Sequence, residues 1–166
     1  FASGIVAFVY SNGVSIENCI SSVTIESTVD GDGTHAGFVS NTEGKVSIKN
    51  SLFSGELKGS STNNCGGFVG WNNNKTITFT SCLFAPATQP TISNSGSATF
   101  ARYNSNNSPP YPPNLNSCYY TTSFGSGNLI QGTDASNMSA TELASALGNQ
   151  WVAHAGTVYL KPFQRY

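Results

Sequence analysis

Charged residues are scarce in this chain. Asp, Glu, Lys and Arg make up 9% of its 166 residues and leave a formal net charge of −1, whereas an average soluble domain carries roughly 25%. The chain therefore lacks the basic surface that binds nucleic acids or anionic lipids, and we expect neither partner. Its polar residues are mainly Ser, Thr, Asn and Gly, which favour turns and strands. Such a neutral polar surface is more typical of extracellular proteins than of cytosolic enzymes.

Long apolar segments and a leader sequence are missing too. No apolar run exceeds a few residues, so no membrane insertion is predicted. The chain begins at Phe1, without a Met or a signal peptide, and enters its first repeat within a few residues. We expect it to be a piece of a longer or processed polypeptide whose targeting signal lies upstream.

Catalytic motifs are a third absence. The sequence contains no GxSxG motif, P-loop or dinucleotide fingerprint, and neither His35 nor His154 belongs to an HExxH motif. Glycosidases and lyases need clustered carboxylates, but most acidic residues here stand alone in their repeats. We therefore predict a non-enzymatic chain with no catalytic residues, no metal site and no cofactor.

Two acidic segments have simple structural interpretations. Asp30-Gly-Asp32-Gly33 resembles part of a calcium loop but lacks the later acidic ligands, and we interpret it as a turn. Glu17 and Lys49 align on the outer face of neighbouring repeats, which predicts an exposed ion pair worth about 0–1 kcal/mol.

What the chain does contain is a unit of about thirty residues that recurs. Its first landmark is a small residue, an apolar residue and Val, found at Ala7-Phe8-Val9, Gly37-Phe38-Val39 and Gly67-Phe68-Val69. Its second landmark is an alternating apolar strand, found at Val14-Ser-Ile-Glu-Asn-Cys19, Val46-Ser-Ile-Lys-Asn-Ser51 and Ile77-Thr-Phe-Thr-Ser-Cys82. A fixed period means one structural unit stacked on copies of itself.

The alternation within each repeat indicates strands with one buried face and one exposed face. Equivalent residues should then stack from coil to coil, with Val14, Val46 and Ile77 in one column and Phe8, Phe38 and Phe68 in another. The predicted fold class is an all-β parallel β-helix, or β-solenoid. It has about four coils within residues 1–122, at about 1–35, 36–65, 66–96 and 97–122.

Residues 123–166 differ in pattern from the repeats. Ser139-Ala-Thr-Glu142 is a capping-box pattern, and Gly148 stands where a helix would stop, which predicts a short helix at Ala140–Leu147. The apolar residues that follow predict one or two closing strands. Because the last coil of a solenoid otherwise exposes apolar residues and strand edges, we interpret this segment as a C-terminal cap of one helix and strands.

The cysteines follow the repeat. Cys19, Cys82 and Cys118 share one repeat position, where the second coil has Ser51, and no CxxC or zinc spacing occurs. We expect a column of small buried residues. Adjacent coils lie about 4.8 Å apart and alternate coils about twice as far, so the candidate disulfide is Cys82–Cys118.

A polar loop with four prolines, at residues 104–116, interrupts the fourth coil. Aromatic rings and amide groups are what neutral sugars contact, and long loops on rigid scaffolds often bind ligands. This pattern predicts glycan contacts by Tyr103, Tyr111, Tyr119 and Asn106, with packing of the tyrosines onto the solenoid as the alternative. If the source is a secreted eukaryotic protein, three Asn-x-Ser/Thr sites would accept glycans: Asn74, Asn106 and Asn137.

The repeat also resembles a known family. Gly66-Gly-Phe-Val-Gly70 followed by Thr76-Ile-Thr-Phe-Thr-Ser-Cys-Leu-Phe84 resembles the GLUG repeat of bacterial surface proteins. Cys118-Tyr-Tyr120, the helix, Trp151 and Leu160-Lys-Pro-Phe163 are similar to the segment that often follows the last such repeat. The resemblance implies a right-handed parallel β-helix in a secreted or surface-anchored protein. It implies no catalytic residues.

These observations lead to one main expectation about function. We expect a non-enzymatic extracellular or cell-surface module, structural or adhesive, at the end of a stalk, adhesin or filament-forming protein. Its partners would be other coils or subunits of a larger surface assembly. Two alternatives are a glycan-binding module and an accessory β-helix of a larger secreted carbohydrate-active enzyme or metallopeptidase.

Overall fold

The computed structural model describes residues 1–27, 34–59, 65–92 and 96–161. The predicted turn at residues 30–33 lies outside these ranges, as do residues 162 and 163 of the family resemblance. The described chain is dominated by short strands, as its low content of helix-forming residues predicts.

The strands follow one another in successive windings. The first winding contains β1 (Ala2–Ser3), β2 (Val6–Val9), β3 (Val14–Glu17), β4 (Ile20–Ser21) and β5 (Thr24–Ser27). The second contains β6 (His35–Ala36), β7 (Val39–Thr42), β8 (Val46–Lys49), β9 (Leu52–Phe53) and β10 (Glu56–Gly59). The third contains β11 (Cys65–Gly66), β12 (Val69–Asn72), β13 (Ile77–Thr80) and β14 (Leu83–Phe84). The fourth contains β15 (Ala101–Tyr103), β16 (Asn114–Asn116) and β17 (Tyr119–Tyr120), and β18 (Thr133–Asp134) adds one further level.

The solenoid strands pair in parallel with equivalent strands of neighbouring windings. The resulting sheets are sheet I (β1-β6-β11), sheet II (β2-β7-β12-β15), sheet III (β3-β8-β13-β16), sheet IV (β4-β9-β14-β17-β18) and sheet V (β5-β10). This arrangement confirms the predicted parallel β-solenoid. The first three windings are nearly complete and the fourth is partial, so the solenoid makes about three turns, slightly fewer than the predicted four.

Two columns of phenylalanine rings fill the interior. Phe38, Phe68 and Phe100 stack with centroid separations of 4.6 and 5.1 Å and interplanar angles of 14° and 13°. Phe53, Phe84 and Phe124 form the second column, at 5.5 and 5.9 Å. All six side chains are fully buried, so these columns supply much of the apolar area that stabilises the fold.

The alternating strands stack in the predicted register. Val14 pairs with Val46 and Val46 with Ile77, and the next inward positions along sheet III are Ile16, Ile48, Phe79 and Leu115. On the outer face, Glu17 and Lys49 form the predicted ion pair at 3.0 Å, with both side chains about half exposed.

Phe8, however, does not stack on Phe38. The strand register pairs Val6 with Val39 and Phe8 with Asn41, so Ile5 occupies the position below Phe38. Phe8 contacts Phe1 and Tyr10 instead, with ring centroids 5.8 and 4.7 Å away. The prediction for Phe8 was therefore wrong by three residues.

Glycine explains this register. A Cβ atom added to Gly4 would lie 2.3 Å from the carbonyl oxygen of Gly37, and one added to Gly37 would lie 2.4 Å from that of Gly67. Windings at this corner approach so closely that only glycine fits. Gly4 must therefore align with Gly37, which places Ile5, and not Phe8, at the phenylalanine position.

A second corner depends on left-handed residues and on the cysteine column. Asn18, Asn50, Ser81 and Ser117 have φ angles of 55°, 45°, 53° and 50°, a conformation that Asn tolerates better than most residues. In each winding the residue after the left-handed one donates a side-chain hydrogen bond to the carbonyl oxygen two positions before it. The four donors are Cys19, Ser51, Cys82 and Cys118. Cysteine and serine are thus interchangeable here because both are small donors.

The tail contains the predicted helix. Helix α1 spans Ala140–Leu147, with the capping box between Ser139 and Glu142 formed and Gly148 at its C-terminus with φ 105°. Strands β19 (Trp151–His154) and β20 (Thr157–Leu160) then form an antiparallel hairpin. No helix in the described part of the chain is long and apolar enough to cross a lipid bilayer.

The helix and hairpin pack along the side of the solenoid. Leu143, Leu147, Trp151 and Leu160 form one buried cluster with Leu83, on the outer face of sheet IV. The indole Nε1 of Trp151 donates to the carbonyl oxygen of Ser81 at 3.2 Å. The helix and hairpin therefore cover a lateral face, whereas the earlier part of the same segment, at residues 124–134, covers the last winding.

Candidate functional site

The predicted glycan-binding loop lies beside the turn of the third winding. Its anchor is Asn72, whose side-chain Nδ2 donates to the carbonyl oxygens of Tyr111 at 3.1 Å and Lys75 at 2.8 Å. The side chains of Asn107 and Asn74 are also hydrogen-bonded across the two segments. The loop is thus attached to the solenoid through amide groups, and the Ser108–Pro109 peptide bond within it is cis.

The structure separates the four predicted glycan contacts. Tyr111 is exposed in the loop, at 41% of its maximal area, and Asn106 is exposed with its backbone N–H bonded to Asn104 Oδ1. Tyr103 is half-buried at the end of β15. Tyr119 belongs to sheet IV and packs against the tail cluster. Tyr119 therefore contributes to packing on another face, whereas Tyr111 and Asn106 belong to one exposed surface.

Sequence reasoning missed Asn72, although its position gave a signal. Asn72 is the partner of Thr42 in the preceding winding. The Thr42 hydroxyl also makes hydrogen bonds to the backbone of the following turn, at Gly44. A polar residue at this strand end closes the following turn, and in the third winding its longer amide also reaches the proline loop.

The three predicted glycosylation sites are accessible. Asn74, Asn106 and Asn137 are all exposed. Asn74 adopts a left-handed conformation with φ 56° in the turn that follows β12. Exposure is what modification requires, so glycosylation stays a prediction compatible with all three positions.

His35 and Cys65 lie close together but do not form a nucleophile and base. The Cys65 thiol donates to the backbone carbonyl of His35 at 3.1 Å, whereas the imidazole Nε2 lies 2.9 Å from Ser27 Oγ. Burial raises the pKa of the Cys65 thiol to about 12, so it stays protonated at neutral pH. Burial, with help from the N-terminal charge and Arg102, lowers the pKa of His35.

The carboxylate of Glu56 makes contacts on the surface of the solenoid. Glu56 contacts Lys58 Nζ at 2.7 Å and accepts from the hydroxyls of Thr24 and Thr88 in the windings on either side. These contacts lower the pKa of Glu56, and the hydrogen bond with Lys58 has the largest effect. No group of three or more His, Cys, Asp and Glu side chains is placed to hold a metal ion in the described residues.

The predicted disulfide partners are in contact as thiols. All four cysteines are free. A hydrogen bond with Cys82 lowers the pKa of the Cys118 thiol. Burial raises the pKa of the Cys82 thiol, and the contact with Cys118 adds to this rise. A disulfide between the two stays a prediction.

The two ends of the solenoid differ. At the C-terminal end, the side chain of Gln131 binds the outer edge of β15: its Oε1 accepts from the amides of Phe100 and Ala101 at 3.0 and 2.8 Å, and its Nε2 donates to the Ala101 carbonyl at 2.9 Å. Phe124 extends one aromatic column over this end. Strand β18 covers sheet IV, and β16 stays an edge strand in sheet III.

The N-terminal end presents open edges. Strands β1, β2, β3, β4 and β5 each stand at the end of their sheets. Three of the five large apolar side chains that are exposed in the described residues lie here: Phe1 at 72%, Ile5 at 44% and Tyr10 at 73%. An edge of parallel strands beside exposed apolar side chains is a surface to which further strands can be added.

Comparisons with known proteins returned nothing similar: no family model, no curated protein and no solved structure matches this chain.

Proposed function

We propose that this chain is a non-enzymatic structural module that ends a longer β-solenoid. The observation that carries the proposal is the difference between its ends. Gln131 and Phe124 occupy the C-terminal end, while the first winding leaves its strand edges and Ile5 uncovered. The occupant of the open end is a further coil of the same repeat, because such a coil supplies parallel strands and an aromatic residue below Ile5.

The proposed setting is an extracellular stalk, adhesin or filament. Three features support it: the low charge, the exposed Asn-x-Ser/Thr sites and the GLUG-like pattern. A stack of parallel strands on a shared aromatic interior is stiff along its axis, which suits a spacer that holds other domains away from a surface. Its polar outer faces and its loop would then be the parts that contact other molecules.

The test is the addition of one coil at either end. A copy of residues 35–64 placed directly before Phe1 should raise the free energy of unfolding by at least about 1 kcal/mol, since it buries Ile5 and pairs open edges. The same copy joined after Tyr166 is the matched control and should add no stability. Equal effects at the two ends, or no gain at the N-terminal end, would refute the proposal.

A second candidate function is glycan binding by the proline loop. It is favoured by the fixed position of the loop, which Asn72 ties to the third winding, and by the exposure of Tyr111 beside several amide groups. A glycan array should show binding that Tyr111→Ala abolishes. The control Tyr10→Ala changes an exposed tyrosine in the first winding and should leave binding unchanged. An array without signal would reject this function.

A further inference from the structure

A cleft separates the tail from the side of the solenoid. Its volume is about 350 Å³, within the range of about 300–1,000 Å³ in which protein pockets bind small molecules. One wall is the outer face of sheet IV, with Leu52 and Leu83, and the opposite wall is the tail, with Met138, Leu143 and Val158. The cleft thus lies between two elements that belong to one buried apolar cluster.

The cleft persists because small residues face one another across it. Ala85 on the solenoid side and Ala135, Ala140 and Gly156 on the tail side all line it. The tail is held at the neighbouring positions by the hydrogen bond from Trp151 to Ser81 and by the buried Leu147. Closing the gap would require these contacts to move, and packed interiors resist such movement.

The walls are apolar but carry hydroxyl groups. Ser54, Thr121 and Thr157 line the cleft, and their hydroxyls have no hydrogen-bond partner among the described residues. Among the described residues, no charged side chain lines it. A charged ligand would therefore lose its hydration without gaining an ion pair, whereas a neutral ligand with a hydroxyl or carbonyl group can satisfy the free hydroxyls.

We propose that this cleft is a binding site for a small uncharged molecule with an apolar body and at least one hydroxyl or carbonyl group. Its volume equals that of about a dozen water molecules at roughly 30 Å³ each, which suits a single ring with a few substituents. The apolar part contacts the partly exposed side chains of Leu52, Met138 and Val158, and its polar group binds Thr121 or Thr157. This site is independent of coil addition, since it lies on the lateral face.

The test is a titration followed by NMR of side-chain methyl groups. Cyclohexanol is the probe, and cyclohexylamine and cyclohexanecarboxylate are its charged analogues. Cyclohexanol should cause saturable shifts of the methyls of Leu52, Leu83, Met138 and Val158, with those of Val46 unchanged. The charged analogues should bind at least about tenfold more weakly. Absence of saturable shifts, or equal binding of all three probes, would overturn the proposal.

Variants connect the signal to the cleft. Ala85→Phe fills the space and should abolish binding of cyclohexanol, whereas Ala87→Phe, at an exposed position outside the cleft, should not. Thr121→Val keeps the shape and removes one hydroxyl, and Thr157→Val does the same at the other position. Should Ala85→Phe fail to fold, the two threonine variants decide: at least one must weaken cyclohexanol binding while preserving that of methylcyclohexane. Unchanged cyclohexanol binding in both would refute the site.

Discussion

Replacing Gln131 with Met tests how the stack of strands ends. Methionine matches the length of the side chain but has no amide group. In the structure Gln131 is 6% exposed, and its amide is bonded to the N–H groups of Phe100 and Ala101 and to the carbonyl of Ala101. The substitution therefore leaves three backbone groups without a partner at the outer edge of β15.

The cost follows from the number of groups. An unpaired buried backbone group costs about 1–3 kcal/mol. Water can reach part of this edge at the end of the stack, so the lower limit applies to each group, and we expect a loss of about 3 kcal/mol for the three. Against a typical total stability of about 5–15 kcal/mol, this loss is large enough to measure without abolishing folding.

Urea unfolding followed by tryptophan fluorescence measures the loss. The control is Gln89→Met, because Gln89 is exposed and its one hydrogen bond within the described residues is a 3.4 Å contact with the Ser123 carbonyl. That variant should stay within about 0.5 kcal/mol of the parent protein. Native-state hydrogen exchange of the Phe100 and Ala101 amides should also accelerate in Gln131→Met. A loss below about 1 kcal/mol with unchanged exchange would refute the assigned role of Gln131.

Three further predictions concern the column, the helix cap and the thiols. Phe68→Ala should cost about 3–5 kcal/mol in urea unfolding because it leaves a cavity in the middle of a column, whereas Phe8→Ala, outside it, should cost below about 1 kcal/mol; equal losses would contradict the register. Hydrogen bonds from the side chain and then the backbone of Ser139 lower the pKa of Glu142 from its ordinary 4.5. The ionised carboxylate therefore stabilises the folded state above pH 4.5, and this stabilisation is lost as the pH falls through the lower pKa of the folded state. Glu142→Gln should therefore lose less stability on acidification than the parent protein, and an equal loss would argue against the capping box. Oxidised glutathione should join Cys82 to Cys118 in a disulfide, which should raise the free energy of unfolding by about 4 kcal/mol. Peptide mapping will identify the bond, and urea unfolding will measure the gain. A disulfide to Cys19 or Cys65 would contradict the stacking of Cys82 beside Cys118.

The interior was predictable from the sequence wherever a residue pattern is local. The alternation of Val46 and Ile48 set the face of sheet III, and the Ser139–Glu142 spacing set the helix start; both agree with the structure. The register of the first winding was not predictable from the Phe–Val pattern, because that winding contains two pairs of an apolar residue followed by Val, Ile5-Val6 and Phe8-Val9. The close approach of Gly4 to Gly37 decides between them, and such a contact exists only after the windings stack.

The position of the tail left a signal that pattern reasoning did not use. Leu52-Phe53 and Leu83-Phe84 are consecutive apolar residues on two-residue strands, which places one apolar side chain on each face of sheet IV. The phenylalanines fill the interior, so the leucines require a second covering layer. Tyr119 belongs to the same outer row, which explains why it packs against the tail and does not join Tyr111.

The covered end depends on contacts that no local pattern records. Gln131 lies about thirty residues from the backbone groups it binds, and nothing in its neighbours marks it as different from any other glutamine. Its role arises because no described strand follows β15 in sheet II, so one side chain takes the place of a backbone partner there. The same reasoning distinguishes the two ends. An edge that binds a side-chain amide must lose those bonds before it accepts a strand, whereas an edge without such bonds accepts one at no comparable cost. Growth of this solenoid should therefore be favoured at the first winding.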